Sequence, residues 1–206
     1  MGNEDMAKAF SKLVEIDETY IGPKPRRGSK PSKSGWGTSK TAVFGILERH
    51  TGRVYAQVIL PEYDGIKWSR LTGSHFLPVI VKVVKDGTTI ISDDLGGYRI
   101  LDKSPIKLSY GYVHKVVPHK YGIYSIAPGI DTNGIESFWA IFKKGYHGRY
   151  QYMSVKYMQR YVDEFCFRQN TRELPGEEVF DLLLKRTVDC GSFLKSLIFS
   201  KYEEES

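Results

Sequence analysis

The chain has 206 residues, and 30 Lys and Arg against 24 Asp and Glu give it a formal net charge of +6. A 41% apolar content with 13% aromatic residues excludes a disordered chain and fits one ordinary folded domain. Its two cysteines, Cys166 and Cys190, exclude a disulfide framework and a structural zinc site. Apolar runs are far shorter than the roughly 20 residues of a membrane span, so we expect a soluble intracellular protein that contacts no membrane.

The first third of the chain predicts three strands and one loop. Residues 13–20 alternate apolar and polar side chains, which is typical of a strand. Residues 22–40 are rich in Pro, Gly, Ser, Lys and Arg and predict a mobile basic loop that can follow a phosphate backbone. Residues 41–48 and 54–60 predict two more strands, joined by a turn at 49–52.

The middle of the chain predicts a helix and two further strands. Residues 76–84 have apolar spacing that suits a short helix. Residues 88–92 are rich in β-branched side chains and predict a buried central strand, with Asp93 and Asp94 at its exit. Residues 113–117 predict one more short strand. Strands that alternate with helices indicate an α/β fold.

The last third predicts helices. One helix begins near Asn133, and a second covers 154–169 with Ser154 as its cap. Residues 177–188 form a last amphipathic segment.

This order predicts one α/β domain over residues 13–190. A lead of residues 1–12 precedes the domain, and a C-terminal tail of residues 191–206 follows it.

Three acidic side chains occupy positions from which a fold can bring them together. Asp17 lies near the end of the first strand, Asp93 follows the central strand, and Glu136 lies in the first turn of a helix. Two Mg²⁺ ions about 3.5–4 Å apart can assist both the attacking and the leaving oxygen of a phosphodiester exchange. Mg²⁺ prefers oxygen ligands, so the set predicts a site for two Mg²⁺ or Mn²⁺ ions.

Each acidic residue also has a purely structural interpretation. Asp17 fits a solvated strand position, and Asp93 and Asp94 fit a turn before two glycines. Asn133 and Glu136 have the spacing of a capping box, in which Asn133 caps the helix and Glu136 bonds back to it. The residues therefore point to metal chemistry only as a combination.

The combination resembles a known family, the DDE-type insertion-sequence transposases of the zinc-ribbon-plus-DDE group, whose eukaryotic relatives are called Merlin elements. The segments that carry the resemblance are 14–22, 91–94 with Tyr98, 132–139, 160–165 and 168–170. Members of this group usually begin with a zinc-ribbon region, whose cysteines this chain lacks, so we expect the catalytic domain only. The resemblance implies an RNase H-like, retroviral-integrase-like fold, which is a mixed five-stranded sheet flanked by helices.

By resemblance, Asp17 corresponds to the first catalytic residue and Asp93 to the second. Asp94 remains a possible member of the site as the neighbour of Asp93. Asn133 and Glu136 both match the third position, which leaves the third metal ligand open between them. The resemblance thus assigns four residues to catalysis and to metal binding.

Basic residues near these acids predict a DNA-binding surface. They are Arg26, Arg27, Lys30, Lys33 and Lys40 on the loop, and Lys143, Lys144, His147 and Arg149 after the acidic helix turn. Tyr146 and Tyr150 lie within the second group, where they would stack on exposed bases. His119 is a possible further contact with the site. The structural alternative for Lys143 and Lys144 is a solvated helix face.

The resemblance implies a transposase that cleaves DNA at transposon ends and transfers the freed 3′-OH strand into target DNA. A homo-oligomer on DNA is expected, located in the cytoplasm or nucleoid of a bacterium or in the nucleus of a eukaryote. Two alternatives remain open: a catalytically inactive DNA-binding protein of transposase descent, and an RNase H-like nuclease that only hydrolyses.

Overall fold

A computed structural model describes residues 6–23, 40–60, 71–118, 125–127 and 129–189, with side chains up to residue 186. Two compact units are distinguished, one that runs to Asn170 and one that begins at Thr171. Within the described residues, the second unit contains a single helix. None of the described helices is long and apolar enough to cross a membrane.

The first unit is built on a five-stranded mixed sheet. Its strands are β1 (Leu13–Ile21), β2 (Thr41–Glu48), β3 (Val54–Ile59), β4 (Thr89–Asp93) and β5 (Val113–Val117). They lie in the order β3-β2-β1-β4-β5. β2 is antiparallel to both β1 and β3, whereas β4 is parallel to both β1 and β5. A separate small hairpin pairs β6 (Ser125–Ala127) with β7 (Ile130–Asp131).

Five α-helices accompany the strands in the described ranges. They are α1 (Gly73–Val83), α2 (Ser104–Tyr110), α3 (Asn133–Gly145), α4 (Met158–Asn170) and, in the second unit, α5 (Gly176–Asp189). Two 3₁₀ segments (Gly96–Asp102 and Val155–Tyr157) and a π-helical turn (Tyr146–Tyr150) connect them.

Each face of the sheet has its own hydrophobic core, because alternate residues of a strand point to opposite faces. Val14 and Ile16 of β1 belong to the core beneath α1. Ile21, on the opposite face, belongs to the core that contains Ile135 and Trp139 of α3. The two cores hold helices against both faces, and this arrangement confirms the RNase H-like fold class.

Helix α4 also protects the free edge of the sheet. Gln159 accepts a hydrogen bond from the Val58 amide at 2.7 Å, and Asn170 accepts one from the Val54 amide at 2.7 Å. The Asn170 side chain donates a second bond to the Val54 carbonyl at 2.9 Å. Side-chain amides thus take the place of a further strand beside β3, which would otherwise present unpaired backbone groups.

Strand boundaries agree closely with the sequence predictions, and helix starts agree less well. β2 and β5 have the predicted bounds, but α1 begins three residues before the predicted 76. The second predicted helix divides into a 3₁₀ turn and α4, and Ser154 precedes the 3₁₀ turn without a capping side-chain bond. Most of the predicted loop 22–40, namely residues 24–39, lies outside the described residues, as does the tail 191–206.

Candidate active site

Asp17 and Asp93 lie on neighbouring parallel strands at the same level. The register pairs Leu13 with Thr89 and Glu15 with Ile91, and its continuation places Asp17 beside Asp93. Paired residues of parallel strands point to the same face, which here is the face that α3 covers. Glu15 identifies that face, because its carboxylate accepts a hydrogen bond from the first turn of α3.

The electrostatics of Asp17 reflect an accumulation of acids. Burial raises its pKa well above the ordinary value, and the carboxylates of Glu18, Asp93 and Glu136 raise it further. A raised pKa means that the negative charge is disfavoured at this position. A cation beside such a carboxylate would lower the cost of its negative charge.

Asp93 is held in place by its surroundings. Its Oδ1 atom accepts a hydrogen bond from the Leu95 amide at 3.0 Å, and Ser92 Oγ donates to the Asp93 carbonyl at 2.8 Å. Ser92 Oγ also lies 2.8 Å from Nε2 of the buried His114, whose Nδ1 lies 3.0 Å from Oδ2 of Asp102. A chain of polar contacts therefore runs from the surface to the residue beside Asp93.

Asp94 has a different environment. It follows the last residue of β4, and its carboxylate lies 3.4 Å from the guanidinium of the exposed Arg99. The structure therefore groups Asp17 with Asp93 and leaves Asp94 in a surface ion pair.

The first turn of α3 differs from the predicted capping box by one residue. Thr132 is the N-cap, Asn133 is the first helical residue, and the Glu136 amide donates to the Thr132 carbonyl at 3.1 Å. Thr132 Oγ1 donates to Glu136 Oε1 at 2.8 Å, so the Glu136 carboxylate is bonded by Thr132 and not by Asn133. The amide of Asn133 donates to the carboxylate of Asp131, a residue that precedes the helix. Both Asn133 and Glu136 are exposed.

Glu18 is a further acid of this region, which the sequence patterns above do not assign to the site. The pKa of Glu18 is raised to about 7, because burial and the nearby charge of Asp93 outweigh the hydrogen bond from the Tyr98 hydroxyl, which lowers it. Tyr98 is itself buried, with only 1% of its surface exposed. Tyr98, five residues after Asp93, was the sequence feature that could have pointed to Glu18. The pairing of Tyr98 with Glu18, however, depends on how the 3₁₀ segment packs on β1.

The donor chemistry of Asp17, Asp93 and Glu136 fits a hard divalent cation, because all three offer carboxylate oxygens. Over the described ranges, no three His, Cys, Asp or Glu side chains are already gathered in a metal-binding arrangement. The hydrogen bond from Thr132 to Glu136 is one physical reason, since it holds the third carboxylate on its own helix. The residues therefore fit such a cation in type.

Family comparison identifies the domain. Residues 10–170 match the model of the ISXO2-like transposase domain. The chain belongs to this transposase family. No curated protein matches the sequence.

Several solved structures are similar to this transposase domain at low identity. The bovine immunodeficiency virus (BIV) integrase catalytic core is 15% identical with a TM-score of 0.47, over 87% of this chain and 97% of that one. The HTLV-2 integrase catalytic core, solved in complex with magnesium, is 13% identical with a TM-score of 0.43, over 81% and 90%. A chain of the simian T-cell lymphotropic virus intasome in complex with PP2A regulatory subunit B56 gamma is 12% identical with a TM-score of 0.46. That match covers 81% of this chain and only half of the other.

Basic residues of the transposase domain continue the exposed face on which Glu136 lies. Lys143 follows Glu136 by two helical turns, so it lies on the same side of α3, roughly 10 Å further along the axis. Lys144 is exposed in the same turn, and His147 and Arg149 are exposed in the π-helical turn that follows. Glu136 and Lys143 thus share one solvent-facing side of α3, and the other three basic side chains are exposed at and beyond its C-terminal end.

The two tyrosines predicted to stack on bases are engaged elsewhere. Tyr146 is only 3% exposed and belongs to the core beneath α3, so its predicted role is wrong. Tyr150 is half-buried and its hydroxyl donates to Glu164 at 2.9 Å. The predicted contacts Arg26, Arg27, Lys30, Lys33 and His119 lie outside the described residues.

Proposed function

We propose that this transposase domain cleaves DNA at transposon ends and transfers the freed strand into target DNA. The observation that carries the proposal is the parallel register of β1 and β4, which sets Asp17 beside Asp93. The raised pKa of Asp17, due first to burial and then to neighbouring acids that include Asp93 and Glu136, supports it. The acids lie on two neighbouring strands and on a helix of a transposase-family domain, and carboxylates from these elements would suit cations that handle phosphodiesters.

Each residue has a distinct part in this proposal. Asp17, Asp93 and Glu136 would hold two Mg²⁺ or Mn²⁺ ions, with Asn133 beside them as an oxygen donor. The ions, when bound, supply activation of the attacking oxygen and stabilisation of the leaving oxygen. Glu136 would give up its hydrogen bond from Thr132 to bind an ion. The Leu95 amide keeps the Asp93 carboxylate oriented.

DNA binding is assigned to the basic surface. Lys143, Lys144, His147 and Arg149 would contact backbone phosphates, because exposed basic side chains close together in the sequence attract a polyanion. Arg26, Arg27 and Lys30 are proposed to join them. A homo-oligomer would hold two DNA ends together, in the nucleoid or nucleus where DNA is found. The relation to the zinc-ribbon group and to Merlin elements is part of this proposal.

The test is a DNA nicking and strand-transfer assay with Mg²⁺ or Mn²⁺, in which the wild type is compared with Asp93→Asn. We expect cleavage and joined products from the wild type and a loss of at least about 100-fold in the variant, because one cation ligand is removed. DNA affinity, measured by fluorescence anisotropy, should change little because Asp93 is not part of the basic surface.

The matched control is Asp94→Asn, the same change one residue away in a surface ion pair. It should retain cleavage. Cleavage without any joined product would support the hydrolytic nuclease, and DNA binding without cleavage would support an inactive DNA-binding protein. Equal loss in Asp93→Asn and Asp94→Asn would contradict the assignment of Asp93.

The third position is tested by the pair Glu136→Gln and Asn133→Ala. We expect Glu136→Gln to abolish cleavage, because the Glu136 carboxylate reaches Asp17 electrostatically. Asn133→Ala should reduce the rate less, since the Asn133 amide, which the change leaves in place, makes its bond to Asp131. The opposite ranking would identify Asn133 as the third ligand.

A further inference from the structure

One arginine links three segments that are far apart in the sequence. Arg49, at the turn after β2, donates from Nε to Glu15 Oε1 of β1 at 2.7 Å. Its remaining nitrogens donate to the Gly129 carbonyl at 2.7 Å, to the Asp131 carbonyl at 3.1 Å, and to the Asp131 carboxylate. The planar guanidinium can serve all these acceptors at once, which a lysine ammonium cannot.

The two carboxylates that Arg49 contacts also accept hydrogen bonds from backbone amides in the first turn of α3. Glu15 Oε2 accepts the Ile135 amide at 2.9 Å, and Asp131 Oδ1 accepts the Asn133 amide at 3.1 Å. The first amides of a helix have no partner within the helix and carry a partial positive charge. Glu15 is fully buried, and its carboxylate therefore caps the start of α3 from strand β1.

Gly134 permits this close approach. A Cβ atom at position 134 would lie 2.9 Å from Glu15 Oε1 and 3.0 Å from Oε2, which is closer than real Cβ atoms normally come. Any side chain at this position would force either the Glu15 carboxylate or the start of α3 to shift, and the bond from the Ile135 amide to Glu15 would be disturbed in both cases. Gly134 thus leaves the space in which the Glu15 carboxylate approaches the start of α3.

This contact lies directly beside the proposed catalytic residues. Glu15 precedes Asp17 by two residues on the same face of β1, and Ile135 immediately precedes Glu136 on α3. A bond between Glu15 and the Ile135 amide therefore fixes the distance between the strand that carries Asp17 and the helix turn that carries Glu136.

We propose that Arg49 and Glu15 are positioning residues of the active site, which hold the first turn of α3 at the distance from β1 that lets Glu136 join Asp17 and Asp93. This inference rests on the proposed function for its catalytic consequence. Its structural part, the fixed position of the α3 start, can be tested independently of cleavage.

The experiment compares wild type, Arg49→Lys and Glu15→Gln. The rate of amide hydrogen exchange at Ile135 reports whether its hydrogen bond to Glu15 is kept. The rate of DNA cleavage at saturating DNA reports whether the active site is correctly arranged. We expect Ile135 to exchange about tenfold faster in both variants. The cleavage rate should fall about 100-fold, because a displacement of about 1 Å is enough to misalign reacting groups. DNA affinity should stay within about twofold of wild type, since neither residue belongs to the basic surface.

Arg168→Lys is the matched control, because Arg168 forms an ion pair with Glu164 on the exposed side of α4. It should alter neither Ile135 exchange nor the cleavage rate. If Arg49→Lys fails to fold, Gly134→Ala provides the second test, since it crowds Glu15 while every charge remains. Gly134→Ala should accelerate Ile135 exchange in the same way.

Unchanged Ile135 exchange in folded Arg49→Lys and Gly134→Ala would overturn the inference. It would also be overturned if exchange accelerated while the cleavage rate per folded molecule stayed at the wild-type value. A wild type that never cleaves DNA would contradict the proposed function instead. In that case Ile135 exchange and the Mg²⁺-induced shift in melting temperature still decide the inference: both must change in Arg49→Lys if it is correct.

Discussion

The carboxylate of Asp93 helps to raise the pKa of Asp17, because parallel pairing of β1 with β4 sets the two side chains level on one face. Burial makes the larger contribution. Protein stability is lowered when like charges are buried together, and the arrangement becomes favourable only when a cation is bound.

Metal binding should therefore increase the stability of the folded protein. We expect Mg²⁺ at saturating concentration to raise the free energy of unfolding of the wild type by about 1–3 kcal/mol, because the ions bind only the folded state. Asp17→Asn should be more stable than wild type without metal, by about 1 kcal/mol, since it removes a disfavoured charge. The same variant should gain nothing from Mg²⁺. Thermal denaturation with and without Mg²⁺ measures both effects, and an equal Mg²⁺ response in the two proteins would contradict the assignment.

Glu18 should make stability depend on pH. Its pKa is near 4.5 when unfolded and about 7 when folded, so between these values the folded state keeps a proton that the unfolded state releases. The free energy of unfolding should consequently fall as pH rises from about 4.5 to about 7, by about 2 kcal/mol from this group. Glu18→Gln still accepts the Tyr98 hydrogen bond and should lose this decline. Urea denaturation across the pH range tests it, and parallel curves for the two proteins would refute it.

His114 should contribute to stability through Ser92 and Asp102. We expect His114→Leu to lower the free energy of unfolding by about 1–3 kcal/mol, because a buried hydroxyl loses one of its contacts. His50→Leu is the control, since His50 is 44% exposed, and it should stay within about 0.5 kcal/mol. Chemical denaturation of both variants gives the comparison. Similar effects at the two histidines would show that the buried contacts add nothing.

Asn170 should be essential for the covered edge of the sheet. Asn170→Ala leaves the Val54 amide and carbonyl without this partner and should cost about 3 kcal/mol. Asn170→Asp keeps the acceptor for the Val54 amide and loses the donor, so its cost should be intermediate. Denaturant titrations of the three proteins measure the ranking. A neutral Asn170→Ala would mean that water replaces the side chain at this edge.

Local patterns explain what could be predicted. The strand over 113–117 has the predicted bounds, and residues 13–20 were predicted as a strand that ends in the structure at Ile21. Alternation of apolar and polar side chains records which face is buried, and neighbouring residues alone determine it. The position of Asp93 at the end of a buried strand followed from the same pattern.

Helix ends and side-chain partners were predicted less well, because distant residues decide them. Asn133 has the right spacing for a capping box with Glu136, but Asp131 accepts the Asn133 amide and the Thr132 hydroxyl donates to the Glu136 carboxylate instead. Tyr146 lies among basic residues in the sequence, yet the π-helical turn directs it into the core.

The sequence by itself determined the strand pattern, the family resemblance and the types of oxygen donor near the candidate site. These features depend on residue identity and on spacing over a few positions. Only the tertiary structure decided that Asp17 lies beside Asp93, that Asp94 pairs with Arg99, and that Arg49 joins Glu15 to the start of α3. Such pairings depend on strand register and helix packing, and they bring together residues whose separation along the chain no local pattern records.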